Sequence, residues 1–343
     1  MMTRVPYQQL EDTIAQAFLR AGMTEEKARI SARFHAEASR DGVYSHGLNR
    51  VPRFIEYLTL GWVDADAEPV LVRQTGPIEV LDGQRGPGIL NALYATDRAI
   101  ELAAEHGTGI VALRNTTHWM RGGAFGWHAA DRGKILMAWT NTESCMPAWG
   151  ATDTRLGNNP LVMAVPRAEG HLVLDMAMSQ YSYGKLQTTR LKNAQLPYPG
   201  GFDNDGNLTA DPAAIEASRR ILPTGFWKGS GLTILLDVLA AVLSEGLATH
   251  QIDQVDQGSC TGCSQIFLAF DPDRLGSAAH MQEIVDGMAR YVNGSTPADP
   301  SRKVTYPGQN TYHTRQEHLA NGVIVDDGIW QEVEALAERE PKA

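Results

Sequence analysis

Cysteine is scarce, since the 343-residue chain contains only three. An odd and sparse set cannot form the disulfide framework of a small secreted protein, so we expect a cytoplasmic setting. Cys260 and Cys263 form a CxxC, which could be a redox pair or half of a zinc site. Zinc needs two more ligands, and the sequence has neither a second CxxC nor a matching histidine pair. Because SQIFLAF, a strand pattern, follows this CxxC, we expect structural thiols and no metal.

Excess positive charge is also missing. The chain has 30 Lys and Arg against 40 Asp and Glu, a formal net charge of −10. A general nucleic-acid binder needs a basic face that displaces counterions, and an anionic membrane attracts basic segments. The N-terminus MMTRVPYQQLEDTIAQ has no apolar signal core, and no run is long and charge-free enough to span a bilayer. These absences argue against nucleic acid and membrane as partners and favour a small molecule.

Several familiar catalytic motifs are absent as well. GxGxxG, which marks a Rossmann nucleotide site, does not occur, and GQRGPG (83–88) and GGAFG (122–126) have different spacings. GxxxxGK[ST], HExxH and GxSxG are missing, which disfavours a P-loop, a zinc protease and a serine hydrolase. Ser45 and His46 are adjacent, and adjacent side chains on a helix diverge by about 100°, so we expect that they do not pair.

The pattern that is present is typical of a mixed α and β protein. With 43% hydrophobic and 20% charged residues, the chain suits about two folded domains. Helical periodicity covers the first 60 residues, and short strands alternate with helices from residue 65 onward. LVMAVP and HLVLDMA predict an antiparallel hairpin around RAEG. GSGLTILLDVLAAVLSEG predicts a helix that is buried on most sides.

Three polar segments carry the residues best suited to chemistry. DGVYSHGLNR sets His46 at a helix start with Arg50 four residues on. Histidine can move a proton near neutral pH, and arginine can hold a carboxylate in a bidentate contact. RNTTHWMRGG, which contains His118, and TNTESCMPAWGATDTRLGNNP each follow a strand. The three segments suit a small anionic substrate, although surface loops with scattered charge would give the same pattern.

Long, irregular motifs resemble one known family. GVYSHGLNRVPRFI, HWMRGGAFGW, LDMAMS, GGFDNDGNLT and RRILPTGFWKGSG resemble the malate/L-lactate dehydrogenase family, which is unrelated to Rossmann dehydrogenases. The resemblance covers almost the whole chain. It implies a mixed α/β (α+β), non-Rossmann NAD(P)-binding fold with a largely antiparallel sheet, a helical piece from both termini, and a homodimer. The missing GxGxxG agrees with such a fold.

The resemblance also implies roles for individual residues. His46 is the expected proton donor, and Ser45, Arg50 and His118 match substrate-side motifs. The residues expected to contact the dinucleotide are His171, Leu172, Val173, Leu174, Asp175, Met176, Ala177, Trp227, Lys228, Gly308, Gln309 and Asn310. Two departures stand out. Gln309-Asn310 replaces a His-Glu of the most similar members, and Lys185 adds a cation that they lack.

The implied activity is NAD(P)H-dependent reduction of a 2-oxo acid, with NADH preferred. The expected reaction converts a 2,3-diketo sugar acid, 2,3-diketo-L-gulonate, to 3-dehydro-L-gulonate. Oxidation of malate, lactate or ureidoglycolate, reduction of a cyclic imine acid, and non-catalytic binding on the same fold remain alternatives. The expected organisation is a helical segment 1–64 that packs with the C-terminal helix 323–343. Residues 65–135 belong to a substrate and dimer domain, and 136–322 form mainly the NAD(P)-binding domain.

Overall fold

The centre of the fold is a seven-stranded sheet, seen in a computed structural model that describes residues 2–340. Met1 and the last three residues of the predicted segment 323–343 lie outside the described residues. The strands are β1 (Met2–Val5), β2 (Val70–Thr75), β3 (Ile78–Asp82), β4 (Thr108–Thr116), β5 (Ile135–Thr140), β6 (Met146–Pro147), β7 (Thr154–Leu156), β8 (Leu161–Val165), β9 (Leu172–Met176), β10 (Gly201–Phe202), β11 (Leu208–Thr209), β12 (Cys263–Phe270) and β13 (Val323–Asp326).

Helices surround this sheet. They are α1 (Tyr7–Arg20), α2 (Glu25–Arg40), α3 (Val51–Thr59), α4 (Gly88–His106), α5 (Gly123–Asp131), α6 (Tyr183–Leu191), α7 (Pro212–Ser218), α8 (Trp227–Ser244), α9 (Thr249–Ile252), α10 (Pro272–Leu275), α11 (Ala278–Asn293), α12 (Gln309–Asn321) and α13 (Asp327–Ala337). The sequence signals for helix ends hold at α2, where the Thr24 side chain caps the N-terminus, and at α13, which Asp326 caps.

The strand order of the large sheet is β2-β3-β4-β12-β5-β8-β9. β3 and β4 run parallel, and the other neighbouring pairs are antiparallel, including the predicted hairpin β8–β9. The expected mixed α and β fold with a largely antiparallel sheet is therefore confirmed. Strands from residues 65–135 and 136–322 share this one sheet, and the division of labour between those segments stays a prediction.

Each face of the sheet carries a hydrophobic core. Successive side chains of a strand point to opposite faces, so on β12 Phe267 packs in the core under α4 and α5 while Ile266 packs in the core under α8. The two ends of the chain join beside the first core. β1 pairs with β13 in antiparallel register, and α1 packs against α13.

Helix α8 departs from the sequence prediction. The sheet buries Leu236 and Ala240 on one side of the helix, but Leu235 and Val242 are 59% and 67% exposed. The expectation of burial on most sides is wrong, because within residues 2–340 no second layer covers the outer side of α8. Of the described helices, α8 alone is long and apolar enough to cross a bilayer. A single such helix is weak evidence for a membrane span, because a helix that packs on a sheet passes the same test.

A buried carboxylate ties α2 to the rest of the molecule. Asp41, which follows α2, accepts hydrogen bonds from Arg40 at 2.9 Å, from Arg121 at 2.6 Å and from Arg315 on α12 at 2.7 Å. Burial by itself raises the pKa of Asp41. The hydrogen bond from Arg315 and the charges of Arg121 and Arg40 outweigh burial and hold the pKa well below its usual 3.8. The Arg315 guanidinium also stacks 4.1 Å over the ring of Trp127 on α5.

We expect Asp41→Asn to lower the free energy of unfolding by about 3–5 kcal/mol at neutral pH, because it leaves three arginines without their counter-charge. The matched control is Asp153→Asn, which changes an exposed ion pair with Arg155. Since the folded pKa of Asp41 is lowered, its contribution is present above pH 3.8 and disappears as the pH falls further. Urea unfolding at a series of pH values checks both points, and a variant as stable as the parent at pH 7 would contradict them.

Candidate active site

The sheet topology brings the polar segments to one edge. β4 and β5 both pair with β12 in antiparallel register, so Thr116, Thr140 and Cys263 lie at the same end of the sheet. The start of β8 and the end of β9 lie there too, because Leu161 pairs with both Trp139 and Met176. The loops that follow β4 and β5, and those that precede β8 and β12, therefore meet. They form the wall of a cavity of about 840 Å³, here called the substrate cavity.

His46 reaches this cavity from a short 3₁₀ turn, Tyr44–His46. A second 3₁₀ turn, Leu48–Arg50, leads into α3, and Pro52 sits in the first turn of that helix. Between the turns Gly47 packs directly on Ser39 of α2, where a Cβ would overlap the serine backbone nitrogen and side chain. The turn is thus held against α2 by a contact that only glycine permits.

Ser45 and His46 do pair, contrary to the sequence expectation. Ser45 Oγ lies 2.9 Å from Nδ1 of His46. The expectation considered only the angle between the two side chains and is wrong, since the two atoms come within hydrogen-bond distance in the 3₁₀ turn Tyr44–His46. The pairing occupies Nδ1 and leaves Nε2 as the nitrogen available to a ligand.

His118 faces His46 across the cavity, with 5.6 Å between the ring centroids. Its Nδ1 accepts a hydrogen bond of 2.8 Å from the backbone N–H of Met120. That bond requires an unprotonated Nδ1, so the neutral ring carries its hydrogen on Nε2. Burial, and then the charges of Arg50 and His46, hold the pKa of His118 well below its usual value. His118 is therefore a neutral hydrogen-bond donor.

Arg50 completes the group and has no ion-pair partner among the described residues. Within residues 2–340, its guanidinium makes no ion pair and no hydrogen bond, although the side chain is half-buried in the cavity wall. Burial, and then the charge of Arg53, lower the pKa of Arg50. A sheltered and unpaired guanidinium is costly unless a ligand anion satisfies it. The site is thus built to receive negative charge.

The same positive charge acts on His46. Burial, followed by the charges of Arg50 and Arg121, lowers the pKa of His46 from 6.5 to about 4. An anion bound to Arg50 would cancel part of this positive field, and the pKa of His46 would rise. Binding of an anion and protonation of His46 therefore favour each other.

A second cavity of about 430 Å³, here called the cofactor cavity, adjoins the first. His46, Ser45 and Asn158 line both cavities. Of the residues that the resemblance assigned to the dinucleotide, five line the cofactor cavity, namely Val173, Leu174, Asp175, Ala177 and Gly308.

The remaining predicted residues do not line that cavity. His171, Leu172 and Met176 lie on or beside β9, and Gln309 and Asn310 open α12. Both nitrogens of His171 are engaged, with the backbone N–H of Arg167 at 3.0 Å and with Asp131 at 2.8 Å. Trp227 and Lys228 line neither cavity; they open α8, and the Trp227 side chain is 64% exposed.

The cofactor cavity contains polar groups without a hydrogen-bond partner among the described residues. Arg121 Nε and Trp127 Nε1 are two such groups, although Arg121 Nε lies 4.0 Å from the Asp175 carboxylate, and both side chains line the cavity. α12 begins at the cavity wall without a side-chain cap, which leaves backbone N–H groups free for an anion. Asp175 adds a carboxylate that could accept hydrogen bonds from hydroxyl groups. This donor and acceptor set fits the phosphates and riboses of a dinucleotide.

Sequence reasoning missed several residues of the substrate cavity. Arg53, Glu143 and Asn158 line it, and Lys185, which the sequence marked only as a departure, does so as well. Glu143 and Asn158 lie in loops next to strand ends, whereas Arg53 and Lys185 lie in the first turns of α3 and α6. Among residues 2–340, no group of three or more metal-binding side chains comes together. Cys260 and Cys263 are free and buried, and their mutual hydrogen bond followed by burial raises the pKa of Cys260.

Comparisons with known proteins identify the family of the chain. The sequence profile of the malate/L-lactate dehydrogenase family matches residues 5–334. The chain is 44% identical over 337 residues to the 2,3-diketo-L-gulonate reductase of Escherichia coli (strain K12), covering 97% of this chain and 100% of the relative. The malate dehydrogenase from Entamoeba histolytica has the same fold, with a TM-score of 0.91, 22% identity and 98% of each chain covered.

A second solved structure is the delta1-piperideine-2-carboxylate reductase from Pseudomonas syringae pvar. tomato, with a TM-score of 0.85, 28% identity and 97% and 99% of the two chains covered. All these relatives are reductases or dehydrogenases, and membership in their family implies a nicotinamide cofactor. The chain is an oxidoreductase that belongs to the malate/L-lactate dehydrogenase family.

Proposed function

We propose that this chain reduces the 2-oxo group of a sugar acid with NADH as the preferred cofactor, and that 2,3-diketo-L-gulonate is converted to 3-dehydro-L-gulonate. The name of the 44% identical relatives supports the substrate. The observation that carries the reaction type is an unpaired Arg50 guanidinium in the wall of the same cavity as two imidazoles, one of which, His46, lies where the two cavities join. Titration of the protein with NADH and with NADPH, followed by intrinsic tryptophan fluorescence, measures which cofactor binds more tightly.

In the proposed mechanism, Arg50 binds the substrate carboxylate and so fixes the neighbouring carbonyl beside His46. His118 donates a hydrogen bond from Nε2 to the carbonyl oxygen and polarises it. Bound nicotinamide supplies the hydride, which no amino-acid side chain can provide. Protonated His46 then gives its Nε2 proton to the oxygen that becomes the new hydroxyl group.

The Ser45 contact contributes orientation. With Ser45 Oγ at 2.9 Å from Nδ1, the His46 ring is held so that Nε2 faces away from the serine. The residues of the cofactor cavity, among them Asp175, Gly308 and the uncapped start of α12, would hold the dinucleotide on the other side of His46. Residues of both 65–135 and 136–322 line both cavities, so the division into a substrate side and a cofactor side stays a prediction.

The same proposal includes a homodimer in the cytoplasm. The exposed apolar residues of α8, among them Leu235 and Val242, offer a face that a second copy could cover, and every residue of β2 is exposed beside it. The family resemblance supports the dimer. The three free cysteines support the cytoplasmic location. Sedimentation equilibrium of the purified protein measures the assembly, and a monomer at micromolar concentration would refute the dimer.

The runner-up function is oxidation of a 2-hydroxy acid such as malate, lactate or ureidoglycolate, or reduction of a cyclic imine acid. The likeness to the piperideine-2-carboxylate reductase supports the latter. A panel of oxo acids, hydroxy acids and imine acids, followed by NADH absorbance, separates these activities. A protein that binds NADH but turns over none of them would support a non-catalytic role.

Replacing the proton donor tests the mechanism. We expect His46→Asn and His46→Ala to lower kcat roughly 10²–10⁴-fold while NADH affinity changes little, because the proton donor is lost and the cofactor contacts remain. His280→Asn is the matched control, since that histidine is exposed on α11. Steady-state kinetics and NADH titration measure the two quantities. Turnover at the parent rate in either His46 variant would remove His46 from this role.

Replacing Arg50 tests whether its guanidinium binds the substrate carboxylate. We expect Arg50→Lys to raise KM for the oxo acid about tenfold or more and to change the affinity for NADH little, because an ammonium group cannot make the bidentate carboxylate contact. Arg155→Lys, at an exposed ion pair, is the control. The measurement is the dependence of the initial rate on oxo-acid concentration. An unchanged KM would show that the carboxylate binds elsewhere.

A further inference from the structure

We infer that Glu143 determines substrate specificity by accepting hydrogen bonds from hydroxyl groups on the carbon chain beyond the reacting carbonyl. The inference rests on the proposed function and names the residue that selects the substrate class. The enzyme would then prefer polyhydroxylated oxo acids to short apolar oxo acids, and it would reject dicarboxylates.

Glu143 is fixed in the wall of the substrate cavity. It lies in the loop after β5, half-buried. One carboxylate oxygen accepts a hydrogen bond of 2.8 Å from Ser259 Oγ, and the other accepts one of 2.7 Å from the backbone N–H of Cys260. A carboxylate oxygen can accept two hydrogen bonds, so each oxygen retains acceptor capacity. The two protein donors fix the position of the carboxylate and leave it able to accept hydrogen bonds from a ligand.

Glu143 differs in its surroundings from the other carboxylate of this cavity. Glu216 also lines the wall, but its carboxylate forms an ion pair of 2.6 Å with Arg190. Within residues 2–340, no lysine, arginine or histidine nitrogen lies within ion-pair distance of Glu143, although Arg50 is near enough for the two charges to interact. A carboxylate that has hydrogen bonds but no cation partner keeps acceptor capacity for ligand donors, whereas Arg50 has neither.

The geometry of the two cavities directs the substrate toward Glu143. The reacting carbonyl must lie at His46, where the cofactor cavity and the substrate cavity join. The substrate cavity is also lined by Arg50, Arg53, Glu143, Ser259 and Cys260. Its volume of about 840 Å³ falls in the range of sites that hold ligands far larger than a three-carbon acid. A longer chain therefore has room to extend along this wall.

The charge of Glu143 decides what that chain can carry. Hydroxyl hydrogens are donors and satisfy the carboxylate. A methyl group leaves it without a donor, and a second carboxylate repels it. Sites built to hydrogen-bond a substrate hydroxyl reject analogues without it more strongly than apolar pockets reject an extra group. Selection by Glu143 would thus separate sugar acids from pyruvate and from oxaloacetate.

The test compares three ligands on the full-length enzyme with NADH. For 2,3-diketo-L-gulonate we expect Glu143→Ala and Glu143→Gln to lower kcat/KM about 10–100-fold, mainly through KM, because a charge-assisted hydrogen bond is lost. The inhibition constants of pyruvate and of oxaloacetate, as competitors of the sugar acid, are measured in parallel. Pyruvate should compete with an unchanged constant, and oxaloacetate should compete more tightly, because the repelling charge is gone.

Ser259→Ala is the matched control, because it removes one hydrogen bond to Glu143 and keeps the carboxylate. We expect it to retain the preference for the sugar acid over pyruvate. An equal loss for the sugar acid and for pyruvate in the Glu143 variants would mean a purely structural role and would overturn the inference, as would no loss at all. Failure of the parent enzyme to reduce any oxo acid would instead refute the proposed function, so the two failures are distinguishable.

Discussion

An uncompensated guanidinium sets the character of this site. Arg50 stands half-buried in the cavity wall without an ion pair among the described residues. The same part of the fold neutralises three other arginines, Arg40, Arg121 and Arg315, on the single carboxylate of Asp41. Arg50 has no such ion pair, although the Glu143 carboxylate is near enough for the two charges to interact. Asp41 holds Arg121, which lines the cofactor cavity, and Arg50 places positive charge in the wall of the substrate cavity.

Burial, and then the positive charge of Arg50, set the state of the two imidazoles. His118 is neutral, and its backbone bond from Met120 leaves an N–H on Nε2. His46 is also neutral at physiological pH in the absence of a ligand, because its pKa is about 4. In the proposed reaction the substrate anion offsets the charge of Arg50, and His46 then takes from solvent the proton that it later donates. Substrate binding and acid catalysis are then two results of one electrostatic interaction.

Local sequence signals predicted most of the helices and the β8–β9 hairpin, and the family resemblance implied the mostly antiparallel sheet. Local signals were weaker wherever a distant contact decides the local geometry. The 3₁₀ turn that carries Ser45 and His46 packs on α2 through Gly47 and Ser39, a contact that helical periodicity does not reveal. Glu143 meets Ser259 only because β12 lies between β4 and β5. The apolar sequence of α8 predicted a helix, but it could not tell which side the sheet would leave uncovered.

The central claim is that an anion on Arg50 raises the pKa of His46. Nitrogen-15 NMR of the histidine rings measures this most directly, with the His46→Asn variant to assign the signal and oxamate as an unreactive oxo-acid analogue. The account predicts a pKa of about 4 in the free protein and a higher value when oxamate is bound. An equal or lower pKa in the oxamate complex, or titration at the ordinary 6.5 in both states, would contradict it.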